Sequence, residues 1–179
     1  GRPVTETDFF HTLQHIHACL SHLNGALHLV HRPAEMELAL WFHDAMYDTH
    51  RADNEELSAR WAHNHILEQG LSADAAVRVR GLILATKHDG PPGDTEAALM
   101  GDIDLAILGQ PAPQFDLYET QIRQEYHWVD QAAFGKGRAA ILEGFLQRAS
   151  IYRTDRFRDR FERQARLNLK RSLADLQEM

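Results

Sequence analysis

The spacing of apolar residues constrains this chain more than any other feature. Apolar side chains recur every three or four residues along almost its whole length, which is the period of one face of an α-helix. No segment shows the alternation of polar and apolar residues that is typical of a half-buried strand. We therefore predict an all-α fold, a single compact bundle of about eight helices without a sheet.

Individual segments make this prediction more specific. Leu13, Ile16, Leu20 and Leu23 form one apolar stripe, and the run from Leu38 to Phe42 is apolar nearly all round, which predicts a buried helix. Prolines, glycines and one serine mark the expected breaks. Pro33 lies at a helix start, and Gly70 and Ser72 lie between two helices. A loop is expected at 90–94, and further breaks at 110–113 and 135–137.

Length and charge limit the classes of partner. A chain of 179 residues fits one domain, 1–179, and its net charge of −7 argues against a nucleic-acid polymer as ligand. The charge is uneven, because residues 148–171 hold nine Lys and Arg against three Asp and Glu. Two interpretations stay open: a solvated amphipathic helix, or a basic wall that attracts an anionic substrate.

The cysteine content and the apolar runs bear on location. Cys19 is the only cysteine, so no internal disulfide can form, as is typical of a reducing compartment. The run from Leu38 to Phe42 is far shorter than the roughly 20 apolar residues of a membrane-spanning helix. We expect a cytoplasmic protein without a membrane partner; its oligomeric state is open, as is the question of residues upstream of Gly1.

The dipeptide His43–Asp44 is the sharpest chemical feature. It follows directly on the buried run, where an unpaired carboxylate costs several kcal/mol. A divalent metal ion is a suitable partner, since it accepts an imidazole nitrogen and a carboxylate oxygen together. The alternative is an exposed helix end where both side chains meet water, and a second such pair, His88–Asp89, shows how common the dipeptide is.

Two further segments carry groups of the same chemistry. Upstream, His11 and His15 are four residues apart, on one face of a predicted helix. Downstream, Asp102 and Asp104 lie inside the apolar segment 101–108, although acidic residues are rarely buried without a reason. We interpret Asp102 as an N-cap residue. Asp104 lies deeper in the segment and is harder to explain as a cap.

The order His, then His-Asp, then Asp resembles the HD superfamily of metal-dependent phosphohydrolases, in particular its small bacterial branch of predicted metal-dependent HD phosphohydrolases. The stretches that carry the resemblance are FHTLQHI (10–16), LALWFHDAMYDTHRADNEELSA (38–59), LILATKH (82–88), GDIDLAILG (101–109) and GRAAILEGFLQRASIY (137–152). The resemblance spans nearly the whole chain. It implies an all-helical bundle, in agreement with the apolar spacing, and a divalent metal ion as cofactor.

The resemblance also implies a set of metal ligands. His11 best matches the first ligand, since it follows an aromatic residue, here Phe10. His15 is the alternative to His11 as first ligand. If His11 is the ligand, His15 is expected to contact substrate. His43, Asp44 and Asp104 match the remaining ligands, with Asp102 as the nearby alternative to Asp104. Many relatives have a basic residue directly after the distal Asp, where this chain has Leu105.

A mixed His and Asp set suits Mn, Fe, Co, Ni or Zn ions, and Mg less well. We expect Asp44 both to bind the ion and to orient the attacking water. Other predicted site residues have alternatives. Asp48 and Glu55 are candidates for catalytic base or second-metal ligands, against cap and surface roles, and Lys87 and His88 for substrate binding, against a polar helix end. Arg138 is a candidate for facing the pocket, although a solvated position is favoured for it.

Three functions stay open at this point. The first is a phosphohydrolase acting on a nucleotide or another small phosphate ester. The second is a di-iron oxidative enzyme on the same scaffold, which needs additional ligands such as His88. The third is a non-catalytic helical module that retains a metal, or only the fold.

Overall fold

The computed structural model of the chain describes residues 13–177, and within this range the fold is all-α with no strand, as predicted. The described part contains eight α-helices: α1 (Leu13–Asn24), α2 (Pro33–Phe42), α3 (Asn54–Glu68), α4 (Ala73–Leu84), α5 (Thr95–Asp104), α6 (Ala112–Glu125), α7 (Gln131–Gln147) and α8 (Asp155–Gln177). Short 3-10 turns lie at Leu27–Leu29, Ala85–Lys87 and Leu105–Gly109.

Several helix boundaries lie where the sequence predicts them. Pro33 is the first residue of α2. Ser72 precedes α4, and its hydroxyl accepts a hydrogen bond of 3.1 Å from the backbone N–H of Ala75. Gly70, between α3 and α4, has a φ of 73°, a left-handed conformation that glycine adopts without steric cost.

The predicted break at 135–137 is wrong, because these residues lie inside α7. A glycine in a helix costs about 1 kcal/mol relative to alanine, which tertiary packing can offset. In α7 the carboxylate of Asp130 caps the first turn by accepting from the N–H of Ala133, and Leu142 is fully buried. These contacts hold the helix through both glycines.

The described residues fall into two compact units. The first runs from Leu13 to Asp104 and contains α1–α5; the second contains α6–α8 and starts at Leu105. In the first unit α3 packs on α4, α4 packs on α2, and α1 contacts α2 and α5. Its core consists of small and aliphatic side chains, among them Met36, Leu40, Ile66, Val79, Ile83, Leu99 and Ile103.

The second unit is built around Tyr152, which is completely buried. The Tyr152 hydroxyl donates to the carbonyl oxygen of Leu105 at 3.0 Å. In the same unit the amide of Asn168, on α8, donates at 2.8 Å to the carbonyl oxygens of Leu108 and Gln110. Side chains from α8 therefore satisfy backbone acceptors of the 3-10 turn and of the residue that follows it.

Helix α8 carries most of the basic segment found in the sequence. It buries Phe157, Phe161 and Leu169 on one face, whereas Arg156 and Arg163 are exposed. None of the helices between residues 13 and 177 is both long and apolar enough to cross a membrane.

Glu162 of α8 is the most heavily bonded carboxylate of the second unit. It accepts from the backbone N–H groups of Ile151 and Tyr152 at 3.0 and 3.2 Å, from Ser150 Oγ at 3.0 Å, and from Arg166 Nε at 2.7 Å. Burial favours the neutral acid, but these donors outweigh burial and lower the pKa of Glu162 below its ordinary value. The ionised carboxylate therefore closes the turn between α7 and α8.

We expect Glu162→Gln to reduce the free energy of unfolding at pH 7 by about 2 kcal/mol, the usual contribution of hydrogen bonds to a charged group. Because the pKa of Glu162 is lowered in the folded state, its contribution is complete above the unfolded pKa and is lost as the pH falls through the folded pKa. Urea titrations between pH 7 and 3 should show the difference between variant and wild type shrinking below about pH 4.5. A difference that is constant over this range would contradict the assigned charge.

Candidate metal centre

Three segments of the first unit bring four polar side chains together. His15 is the third residue of α1, His43 follows the last residue of α2, Asp44 is next in sequence, and Asp104 is the last residue of α5. The two imidazoles are almost completely buried, with 4% and 1% of their side chains exposed, whereas the carboxylates of Asp44 and Asp104 are 20% and 18% exposed. The cluster is thus closed on its imidazole side and more open on its carboxylate side.

The ligand-type atoms of this cluster converge. His15 Nε2 lies 3.1 Å from His43 Nε2, 3.1 Å from Asp104 Oδ1 and 3.7 Å from Asp44 Oδ2. His43 Nε2 lies 3.0 Å from Asp44 Oδ2 and 3.4 Å from Asp104 Oδ1. Two nitrogens and two oxygens from different parts of the sequence therefore share one small volume.

A backbone contact fixes the orientation of the His43 ring. Its Nδ1 lies 2.8 Å from the carbonyl oxygen of Leu40. Since a carbonyl oxygen only accepts hydrogen bonds, Nδ1 carries the proton and donates. In the neutral ring Nε2 then has a lone pair, and this lone pair faces the carboxylates. Such a backbone-anchored imidazole is the usual form of a metal-ligating histidine.

The electrostatics of the cluster favour positive charge at the imidazole nitrogens. Burial lowers the pKa of His43, but the charges of Asp44 and Asp104 and their hydrogen bonds outweigh it and raise this pKa well above its ordinary value. For Asp104 the order is similar: burial raises the pKa, and hydrogen bonds from His15, His43 and His88 lower it well below its ordinary value. The Asp104 carboxylate stays ionised, and together with the charge of Asp44 it favours a cation or a proton at the imidazole nitrogens.

The spacing of these atoms fits a divalent ion. Ligand atoms about 2.1 Å from a central ion are about 3.0 Å from one another at right angles and about 3.4 Å apart at a tetrahedral angle. The five distances among the His15, His43, Asp44 and Asp104 atoms lie between 3.0 and 3.7 Å. Both the spacing and the donor set of imidazole and carboxylate therefore suit a metal ion.

Cys19 is a neighbour of the cluster that the sequence analysis did not select. One donor atom each of His15, Cys19, His43 and Asp104 lie within 4.8 Å of one another, close enough to hold a metal ion. Cys19 is buried one turn after His15 on α1. The spacing of four residues between the two is the sequence feature that could have indicated that Cys19 lies beside the cluster. Its Sγ is almost equidistant from both His15 ring nitrogens, at 3.7 and 3.8 Å, and therefore does not single out Nε2.

His88 contacts the cluster from the opposite side of the Asp104 carboxylate. Its Nε2 lies 2.8 Å from Asp104 Oδ2, whereas the histidines described above approach Oδ1. His88 follows the 3-10 turn Ala85–Lys87 with a left-handed backbone, at φ 56°. The sequence indicates His88 as a substrate-binding group or a second-metal ligand, but it does not predict this contact with Asp104.

Other residues selected from the sequence lie in different settings. His11, the first choice for the first ligand, lies outside the described residues. Asp48 is exposed, and its Oδ1 accepts from the backbone N–H of His50 at 2.9 Å. Glu55 lies in the first turn of α3, and Lys87 forms ion pairs with Glu56 and Asp89.

The structure places Asp102 and Arg138 differently from what the sequence predicts. Asp102 is not an N-cap, because it is buried in the last turn of α5. Arg138, expected either at the pocket or in solvent, belongs to the second unit and is buried. It donates to the Tyr118 hydroxyl at 2.9 Å and forms an ion pair with Glu119, so its guanidinium is already engaged.

Comparison of the chain with protein-family models, with curated proteins and with solved structures finds no match. The function has to be inferred from the residues themselves.

Proposed function

We propose that the chain is a metal-dependent phosphohydrolase of the HD superfamily, acting on a nucleotide or another small phosphate ester. The observation that supports this is the convergence of His15 Nε2, His43 Nε2, Asp44 Oδ2 and Asp104 Oδ1 at distances of 3.0–3.7 Å. The family resemblance implies His43, Asp44 and Asp104 as ligands and either His11 or His15 as the first histidine. We propose His15, because its Nε2 lies in this cluster.

We infer that Asp44, rather than Cys19, completes the ligand set. Asp44 Oδ2 lies 3.7 and 3.0 Å from the two imidazole Nε2 atoms, while Cys19 Sγ lies 3.7 Å from His15 Nε2 and is almost as close to Nδ1 of the same ring. Burial and the charges of Asp104 and Asp44 also raise the pKa of the Cys19 thiol well above its ordinary value. In the absence of an ion the Cys19 thiol therefore keeps its proton, which a bound metal would have to displace.

The chemistry that a divalent ion supplies when bound in such a site is Lewis acidity toward a phosphoryl oxygen and activation of water. Mn, Fe, Co, Ni and Zn ions suit the donors better than Mg, which prefers oxygen ligands. The histidines hold their positions through burial and, for His43, through the hydrogen bond to Leu40. The protein thus contributes a preformed donor set.

The exposure of the carboxylates indicates the side from which a substrate approaches. Asp44 and Asp104 are the more accessible members of the cluster, and both carry negative charge. A phosphate ester would be repelled by two carboxylates unless a cation lay between them. On this side Asp44 is placed to orient a water molecule toward the phosphorus atom, which is a contribution of positioning.

The test is metal analysis and a hydrolysis assay on three proteins: wild type, Asp44→Asn, and Asp53→Asn as the matched control. Asp53 has 48% of its side chain exposed and is paired with Arg51 directly before α3. We expect one divalent ion per wild-type chain and hydrolysis of at least one ester in a panel of nitrophenyl phosphates and nucleotides. Asp44→Asn should bind the ion more than about 100-fold more weakly. Mutation of residues that only hydrogen-bond to metal ligands already lowers metal affinity about 10- to 100-fold.

Asp53→Asn should retain both properties. Full metal content in Asp44→Asn would contradict the proposed site. Two iron atoms per wild-type chain would favour the oxidative alternative, and bound metal without hydrolysis of any panel member would favour the non-catalytic one.

A further inference from the structure

The carboxylate of Asp104 is divided between two sets of partners. Its Oδ1 lies 3.1 Å from His15 Nε2 and 3.4 Å from His43 Nε2, so this oxygen belongs to the metal cluster. Its Oδ2 lies 2.8 Å from His88 Nε2. An ionised carboxylate only accepts hydrogen bonds, so His88 Nε2 carries a proton and donates. One oxygen thus faces the cluster while a donor holds the other.

The backbone of His88 is held in an unfavourable conformation to make this contact. With φ at 56°, His88 is the one non-glycine residue of the range 13–177 with a positive φ. Left-handed backbone is costly for a residue with a side chain, and such strain tends to occur at functional positions. The imidazole lies near α5: a Cβ built on Gly101 would be 3.5 Å from His88 Cε1 and Nδ1. The 3-10 turn and the small residue at 101 together place the ring beside Asp104.

We propose that His88 is a positioning residue, whose Nε2–H holds Asp104 Oδ2 so that Oδ1 is presented to the metal ion. Without this hydrogen bond the carboxylate of Asp104 could rotate about its Cβ–Cγ bond and exchange its two oxygens. Fixing it before the ion arrives reduces the entropy lost on binding. This inference rests on the proposed metal site, and it assigns His88 neither to substrate nor to a second metal.

The experiment measures Co²⁺ affinity by competition with a chromophoric chelator, for wild type and three variants. His88→Phe keeps an aromatic ring near Gly101 and removes the donor. His88→Gln carries an amide nitrogen at the position of Nε2, and His88→Asn carries one that falls short of Asp104. We expect His88→Phe and His88→Asn to bind Co²⁺ about 10- to 100-fold more weakly than wild type. His88→Gln should recover most of the loss.

The visible spectrum of bound Co²⁺ adds a readout that general destabilisation does not move, because band position and intensity report the ligand geometry. We expect the spectrum of His88→Gln to resemble that of wild type and the spectrum of His88→Asn to differ. His50→Gln is the control, since His50 is exposed and contacts the carboxylate of Asp48 instead. It should match wild type in both affinity and spectrum.

The failures of the two proposals are distinguishable. A wild-type chain that binds no Co²⁺ overturns the metal site itself. Wild-type binding with equal affinity in His88→Asn and His88→Gln overturns the positioning role alone. Two ions per wild-type chain and one in His88→Gln also overturn it, in favour of His88 as a ligand to a second metal. If His88→Phe does not fold, the Co²⁺ affinities of His88→Asn and His88→Gln still test the positioning role.

Discussion

Addition of a divalent ion to chelator-treated protein is expected to raise the unfolding temperature by about 8–16 °C. An ion at about 1,000 times its Kd adds roughly 4 kcal/mol to the free energy of unfolding, because it binds the folded chain alone. A chain of this size shifts by about 2–4 °C per kcal/mol. The ion gains this affinity because His15, His43, Asp44 and Asp104 are already spaced as ligands.

Scanning calorimetry with increasing Mn²⁺, Co²⁺ or Zn²⁺ measures the effect. Asp104→Asn keeps the shape of the side chain but removes the charge that His15, His43 and His88 contact, so its unfolding temperature should hardly respond to the ion. An equal response in Asp104→Asn would show that the ions bind elsewhere on the chain.

Gly109→Ala should destabilise the protein by about 3 kcal/mol or more, at the upper end for overpacked sites. A Cβ at this position would lie 2.5 Å from the Cβ of Phe161, 2.9 Å from the Phe161 carbonyl oxygen and 3.0 Å from the Tyr152 hydroxyl. Two of these atoms belong to the rigid part of α8, so the clash cannot be relieved by a side-chain rotation. The 3-10 turn or the helix has to move.

Gly144→Ala is the matched control for this prediction. Gly144 lies in α7 of the same unit, and a Cβ there meets nothing within 4 Å. Alanine should therefore stabilise the helix by about 0.5–1 kcal/mol. Urea unfolding of both variants gives the comparison. If Gly109→Ala unfolds at the same urea concentration as wild type, the close approach of the turn to α8 is incorrect.

The helical class could be predicted from the sequence because the spacing of apolar residues reports which side of each segment is buried. Helix starts were predictable where a residue acts locally, as at Pro33 and Ser72. The break predicted at 135–137 was wrong because helix continuity there depends on packing, which local propensity does not contain.

Helix α1 shows why a buried face is harder to predict than a helix. The apolar stripe beginning at Leu13 suggested the core face, yet Leu13 is 71% exposed. The buried side chains of α1 are His15, Cys19 and Leu23. Polar groups occupy this face because they meet carboxylates from α5 and from the end of α2, which are distant in sequence.

Part of the candidate site could be predicted from the sequence. His43, Asp44 and Asp104 stand out because charged groups next to apolar runs need partners, and the structure places the three together. Their role as metal ligands stays a prediction. The hydrogen bond from His88 to Asp104 depends on a left-handed backbone and on the packing of a turn against α5. A local sequence pattern therefore does not predict it.

The cluster is assembled from residues far apart along the chain: 28 positions separate His15 from His43, and 89 separate His15 from Asp104. No single helix, and no pair of neighbouring helices, holds the full donor set. Chelation at the proposed site requires these long loops to be closed, so we expect it to occur late in the folding of the first unit. Contacts formed after the transition state alter the unfolding rate rather than the folding rate. An ion held in the proposed site would therefore prolong the lifetime of the folded state without speeding its formation.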